Sequence, residues 1–196
     1  MSQKNILVLL AVFGVLLIAG ASLLYNALSE DYLPDQLFTT PQQSADGSDT
    51  TGTTASGAAA PDFTVYDAQG NAVKLSDFVG KPVVVNFWAS WCGPCKSEMP
   101  DFETAYQKYG NNVQFLMVNM TDGSQETVER ASQFIQSVGY TFPVYFDSDG
   151  DAAMTYGVRS IPTTYFIDAQ GNGVAWASGA LDMQTLEKGI QMIITD

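Results

Sequence analysis

Residues Ile6 to Leu24 form an unbroken run of nineteen apolar and small residues, and this run divides the chain. A helix of that length, rising about 1.5 Å per residue, crosses a hydrocarbon core of about 30 Å. Lys4 and the amino terminus precede it, while Glu30, Asp31 and Asp35 follow it. The charge bias predicts that residues 1–5 stay in the cytoplasm, that 6–24 form a single-pass transmembrane signal-anchor, and that everything beyond lies on the extracytoplasmic side of the cell membrane. Ala19-Gly20-Ala21 also has the small-residue pattern of a signal-peptide cleavage site, and cleavage there would leave a secreted or periplasmic domain. No cysteine follows the run closely enough to carry a lipid anchor.

Residues 25–60 include the stretch TTPQQSADGSDTTGTTASGAAA. It is poor in large apolar side chains and cannot bury enough surface to offset its ordering entropy, so it is expected to be a flexible tether. The domain is expected over 61–196. Phe63 to Tyr66 and Val73 to Leu75 flank the turn Asp67-Ala68-Gln69-Gly70-Asn71 and read as a β-hairpin. Pro82 to Trp88 is a β-branched run with the look of a strand buried on both faces, and Val113 to Asn119 reads as a second buried strand. Helical spacing predicts helices over Pro94 to Tyr109, with Pro100 as a kink and Gly110 as the stop, and over Ser124 to Val138, closed by Gly139. Phe142 to Phe146, Thr163 to Asp168 and Val174 to Ala177 read as strands, and Asp182 to Ile194 as a closing helix. The alternation predicts an α/β fold, a central sheet covered by helices on both faces, with the hairpin as an N-terminal extension.

Composition removes several classes of function. All 21 Asp and Glu residues lie from Glu30 onward, and the net charge is −13. Such a domain repels a phosphate backbone, so no nucleic-acid partner is expected. Histidine is absent and there are two cysteines, Cys92 and Cys95. A closed Cys/His zinc site and Ser-His-Asp or Cys-His catalysis are therefore excluded, and neither a metal nor another cofactor is expected. No sulfur is left for a structural disulfide elsewhere.

The two cysteines stand in Trp91-Cys92-Gly93-Pro94-Cys95, at a predicted strand-to-helix junction. Spacing of i, i+3 on a first helical turn brings their sulfurs into disulfide range. Cys92 sits where unpaired backbone N–H groups and the helix dipole stabilise a thiolate, which makes it the nucleophile, and Cys95, one turn deeper, the resolving thiol. Pro94 suits a first helical position, where its missing N–H leaves nothing unpaired, and Gly93 presents no side chain to crowd a partner. An inert staple is the rival reading, but so short a loop removes little unfolded-state entropy.

Three stretches, PDFTVYDAQGNAVKLSDFVGKPVVVNFWASWCGPCKSEMP, the helix and strand after it, and YGVRSIPTTYFID, make residues 61–196 resemble the thioredoxin superfamily. Within it the chain resembles the membrane-anchored TlpA/ResA-like thiol-disulfide oxidoreductases. The resemblance implies a thioredoxin-like three-layer fold with a mixed sheet. It also implies a cis peptide bond before Pro162, with Ile161 pairing with the bound substrate chain and Trp91 facing the partner. Gly93-Pro94 is the dipeptide of thioredoxins and implies a reducing poise. The implied partners are exported proteins with disulfides, such as the Cys-x-x-Cys-His segments of apocytochromes c, and an integral-membrane electron donor. One position departs from thioredoxins: where they carry a buried aspartate, six residues before the first cysteine, this chain has Asn86, and a neutral amide is no general base. Glu98, three residues beyond Cys95, is a candidate for that task, but a helix acid is expected to be solvated.

Two rival functions follow from the same residues. A thiol peroxidase of the peroxiredoxin type needs Pro and Thr or Ser ahead of its cysteine, where this chain has Val85 and Ala89. A redox-inert peptide-binding module would have no need of both cysteines. Asp147-Ser148-Asp149-Gly150-Asp151 lacks the Gly and Glu placement of an EF-hand loop and is expected to be a polar turn. Arg159 is expected to be a surface charge.

Overall fold

The structure, a computed structural model, describes residues 37–39 and 58–194. The apolar run 6–24 and most of the expected tether lie outside the described residues. Among the described residues no helix is long and apolar enough to cross a membrane.

Eight strands of the described residues form one mixed sheet. They are β1 (Phe38–Thr39), β2 (Thr64–Tyr66), β3 (Ala72–Lys74), β4 (Val83–Trp88), β5 (Gln114–Asn119), β6 (Val144–Phe146), β7 (Thr163–Ile167) and β8 (Gly173–Ser178), in the spatial order β1-β8-β7-β4-β5-β6-β2-β3. β4 and β5 run parallel with Val83 opposite Gln114 and Trp88 opposite Asn119, and β6 continues the parallel set. β7 lies antiparallel on the other side of β4, with Val83 opposite Ile167 and Phe87 opposite Thr163. A strand's side chains alternate between faces, so Val84 and Trp88 join one core while Val83, Val85 and Phe87 join the other.

Three helices, α1 (Gly93–Tyr109), α2 (Val128–Val138) and α4 (Met183–Ile194), supply the first core with Cys95, Met99, Phe102, Ala131, Leu186 and Ile190. The second core lies under the hairpin, a 3-10 turn (Leu75–Phe78) and the short helix α3 (Asp151–Thr155). Burying each large apolar side chain stabilises the domain by about 1.5–3 kcal/mol against leaving it exposed. α4 comes so close to the sheet that a Cβ on Gly189 would stand 2.3 Å from the Phe166 ring. Gly189→Ala is expected to lower stability by about 1–3 kcal/mol through overpacking, read as a lower midpoint in urea unfolding.

Four expectations change in detail. α2 starts at Val128 instead of Ser124, because the N–H groups of Ser124 and Glu126 are taken by Asp122 Oδ1 in a loop and Thr127 caps the helix through Arg130 N. Gly139 does close it, in the left-handed conformation at φ 82°. The polar turn at Asp147–Asp151 contains a helix start: buried Asp147 accepts the N–H groups of Ala152 and Ala153 and so begins α3. α1 begins at Gly93, one residue ahead of the expected Pro94, and ends at Tyr109 with Gly110 as its C-cap. Inside the segment 25–60, Phe38–Thr39 pairs with β8 opposite Trp176 and Ala175, and Ala59 bridges Asn172. Phe38 stacks on Trp176 with ring centroids 4.7 Å apart, the apolar contact that its polar surroundings concealed.

Candidate active site

β4 delivers the chain to the site and α1 leaves from it. After Trp88 the backbone turns sharply, with Cys92 N–H donating to the Ala89 carbonyl at 3.1 Å. Cys92 takes the N-cap position with extended backbone, and its Sγ accepts the Cys95 N–H at 3.1 Å. A donor aimed at the sulfur from the positive end of a helix is what stabilises a thiolate there. Pro94 occupies the first turn, and Cys92 and Cys95 are joined in a disulfide with Cα atoms 5.3 Å apart.

Cys95 is 0% exposed and Cys92 4%, so Cys92 is the sulfur a partner reaches first, through an opening narrower than its position at a helix end suggested. Trp91 beside it is 50% exposed, and Gly93 and Pro94 are exposed as well. The fold then brings in a segment distant in sequence. Cys92 Sγ lies 3.8 Å from the Ile161 carbonyl oxygen. The Ile161–Pro162 peptide bond is cis. Gly179 N–H donates to the Pro162 carbonyl at 2.9 Å and Thr163 Oγ1 to the Ser160 carbonyl at 2.7 Å, so the loop ahead of β7 is tied on both sides. Trp91, Cys92, Gly93, Pro94, Cys95, Ile161 and Pro162 therefore meet at one end of the sheet. Arg159 is exposed.

A cluster of buried polar side chains lies within the apolar core on the α1 side of the sheet. Asn86 points to the α1 side and donates through Nδ2 to Glu98 Oε1 at 2.8 Å and to Thr164 Oγ1 at 3.0 Å. Glu98 Oε2 accepts the Leu181 N–H at 2.9 Å. The expectation of a solvated helix acid is corrected here, because Glu98 is buried. Burial pushes its carboxyl up to about 7, against the opposing pull of the Leu181 and Asn86 hydrogen bonds. The signal was present in the periodicity: Cys95, Met99, Phe102 and Ala105 form the buried stripe of α1, and Glu98 falls within it. The side-chain oxygen of Asn86 is buried without a partner. A second buried carboxylate, Glu126, binds Ser90 and Asn119 nearby and had no sequence signal. Val85 and Ala89, where a peroxiredoxin would need its Pro and hydroxyl, are buried and present no polar side-chain atom.

Such an arrangement can pass two electrons by thiol–disulfide exchange: an accessible sulfur at a helix N-terminus, a buried second sulfur and a carboxyl that titrates near neutrality. Comparison with known proteins agrees. The AhpC/TSA family model matches residues 56–174. The thiol-disulfide oxidoreductase ResA of Oceanobacillus iheyensis is 38% identical over 135 residues, covering 67% of this chain and 69% of that protein. ResA of Bacillus thuringiensis subsp. konkukian is 35% identical over 138 residues, covering 70% and 78%. Among solved structures, a thiol:disulfide interchange protein DsbE from Chlorobium tepidum superposes with a TM-score of 0.63 at 34% identity, covering 71% of this chain and 98% of that one. With its thioredoxin-like fold and its single Cys92–Cys95 pair, the chain belongs to the AhpC/TSA family and is a thiol-disulfide oxidoreductase.

Proposed function

We propose that this protein is an extracytoplasmic reductant of protein disulfides, held at the cell membrane by residues 6–24. Cys92 is the nucleophile and Cys95 the resolving thiol. The observation that carries this reading is the placement of Cys92 Sγ, which accepts the Cys95 N–H at the start of α1 and lies 3.8 Å from the Ile161 carbonyl. An extended substrate segment would lie along Ile161 and Pro162, against Trp91 and over the open Gly93-Pro94 face. Its cysteine sulfur would then reach Cys92. Cys-x-x-Cys-His segments of apocytochromes c are the substrate class offered, because they are short and carry two cysteines that an oxidising compartment joins in a disulfide. The oxidised protein is then restored by an integral-membrane electron donor, since an oxidising compartment supplies none.

The test is a redox titration with thiol trapping, run beside reduction of an oxidised Cys-x-x-Cys-His peptide. The potential is expected nearer to the roughly −270 mV of thioredoxin than to the roughly −120 mV of DsbA, with the peptide reduced faster than a disulfide peptide of scrambled sequence. A potential near the oxidant end without reductive turnover would turn the assignment to an oxidase. Extraction of the protein from membranes by alkaline carbonate would sink the anchor.

A further inference from the structure

We propose that Glu126 is a positioning residue for Cys92, acting through Ser90. Glu126 is 0% exposed. Its Oε1 accepts the Ser90 backbone N–H at 2.8 Å and Asn119 Nδ2 at 2.6 Å, and its Oε2 accepts the Ser90 hydroxyl at 2.7 Å. The orientation of the Asn119 amide is set independently, because its Oδ1 accepts Thr121 Oγ1 at 2.9 Å. All three partners are donors, so the pocket is built around an acceptor. None of them is a cation.

The grip falls where the geometry of the nucleophile is decided. Ser90 and Trp91 are the two residues between Ala89, whose carbonyl receives the Cys92 N–H, and Cys92 itself. Holding Ser90 by both its backbone and its side chain fixes the path of this turn. The turn in turn fixes where Cys92 Sγ stands relative to the Cys95 N–H and the Ile161 carbonyl. Glu126 is itself held. Its N–H donates to Asp122 Oδ1 at 2.9 Å, and its carbonyl accepts the N–H groups of Asp122 and Gly123, each at 3.0 Å. Arg130 donates to the carbonyls of Ser124 and Gln125 in the same loop. The β5–α2 loop thereby becomes a bracket for the β4–α1 turn. A bracket of this kind matters because a shift of about 1 Å at a reacting atom can change a rate by roughly a hundredfold.

A grip by hydrogen bonds and a purely electrostatic influence of the carboxylate make different demands. A glutamine at this position can accept the Ser90 and Asn119 N–H groups at its oxygen and donate to the Ser90 hydroxyl, which retains the bracket and removes the charge. Alanine removes both. The experiment uses the full chain, reduced, and reads two quantities: the rate of Cys92 alkylation by iodoacetamide as a function of pH, and kcat/KM for reduction of insulin disulfides. Glu126→Ala is expected to lower kcat/KM at least tenfold and to move the alkylation profile to higher pH, as the thiolate loses its alignment with the Cys95 N–H. Glu126→Gln is expected to recover kcat/KM to within about threefold of the unsubstituted protein. Ser90→Ala, which keeps the backbone contact and loses the hydroxyl contact, is expected to lie between the two. Unchanged alkylation and turnover in Glu126→Ala would overturn the proposal, as would equal damage in Glu126→Gln and Glu126→Ala. If Glu126→Ala does not unfold cooperatively, Ser90→Ala decides: a shifted profile supports the bracket and an unshifted one overturns it.

Discussion

Replacement of Cys95 by serine is expected to abolish turnover and to leave the protein covalently joined to its substrate. In the reducing reaction proposed above, the Cys92 thiolate attacks one sulfur of the substrate disulfide, an S–S bond forms between them, and the other substrate sulfur leaves as a thiolate that takes up a proton. Cys95 then loses its proton and attacks Cys92 Sγ. The mixed disulfide breaks, the second substrate thiol is released, and the Cys92–Cys95 bond carries away the two electrons' worth of oxidation. Because Cys95 is fully buried and Cys92 is not, the order of attack is fixed by access. Cys95→Ser therefore stops after the first step, and mass spectrometry under non-reducing conditions should show an adduct that dithiothreitol dissolves. Cys92→Ser should form no adduct, with turnover reduced at least about a thousandfold, the scale lost when a covalent nucleophile is removed. Turnover above about a hundredth in Cys92→Ser would contradict this order of steps.

Glu98→Gln is expected to separate a proton-transfer role from a packing role, because it changes stability and rate in opposite senses at alkaline pH. Glu98 lies one turn from Cys95 on the buried stripe of α1, and burial raises its carboxyl from an ordinary value near 4.5 to about 7. An acid whose folded-state value is raised binds more protons folded than unfolded between those two values. Its neutral form is fully accommodated below about pH 4.5, and stability falls as pH rises towards 7, by roughly 3 kcal/mol in all. In Glu98→Gln this slope should disappear, so that the variant is more stable than the parent above pH 7. The rate should move the other way. A carboxylate titrating near neutrality can take the proton that Cys95 must lose, whereas an amide cannot, and the resolving step is expected to slow by about a hundredfold. Asn86 permits the substitution, since a half-turn of its amide would offer the unpartnered Oδ1 to the N–H of the introduced amide. Urea unfolding across pH 4 to 9 and single-turnover quenching of the mixed disulfide read the two effects. An unchanged pH slope in the variant would remove Glu98 as the titrating group.

The chemistry was legible because it is local. Cys92, Gly93, Pro94 and Cys95 are contiguous, and a helix start with that spacing places a nucleophile, its resolving partner and a tolerated proline within one turn, whatever surrounds them. The strands β4 and β5 were equally plain, since a short run of mostly large apolar residues with no polar alternation is stable only between two apolar layers. Short elements were less visible. α3 spans Asp151–Thr155 and owes its start to Asp147, whose carboxylate looks the same in a sequence whether it caps a helix or faces water.

The apolar run, the acidic domain, the redox pair and the order of strands and helices follow from residue type and spacing, which act over a few positions along the chain. Which carboxylates are buried and hydrogen-bonded inside the fold was settled only by packing. Glu98 and Glu126 are acids on or beside helices, as Glu129 is, yet the first meets Asn86 and Leu181 across 12 and 83 residues of sequence, and the second meets Ser90 across 36. Burial and hydrogen bonding at such separations depend on how the helical layer seats on the sheet. The proximity of Ile161 to Cys92, across 69 residues, has the same origin, in the antiparallel register that sets β7 beside β4.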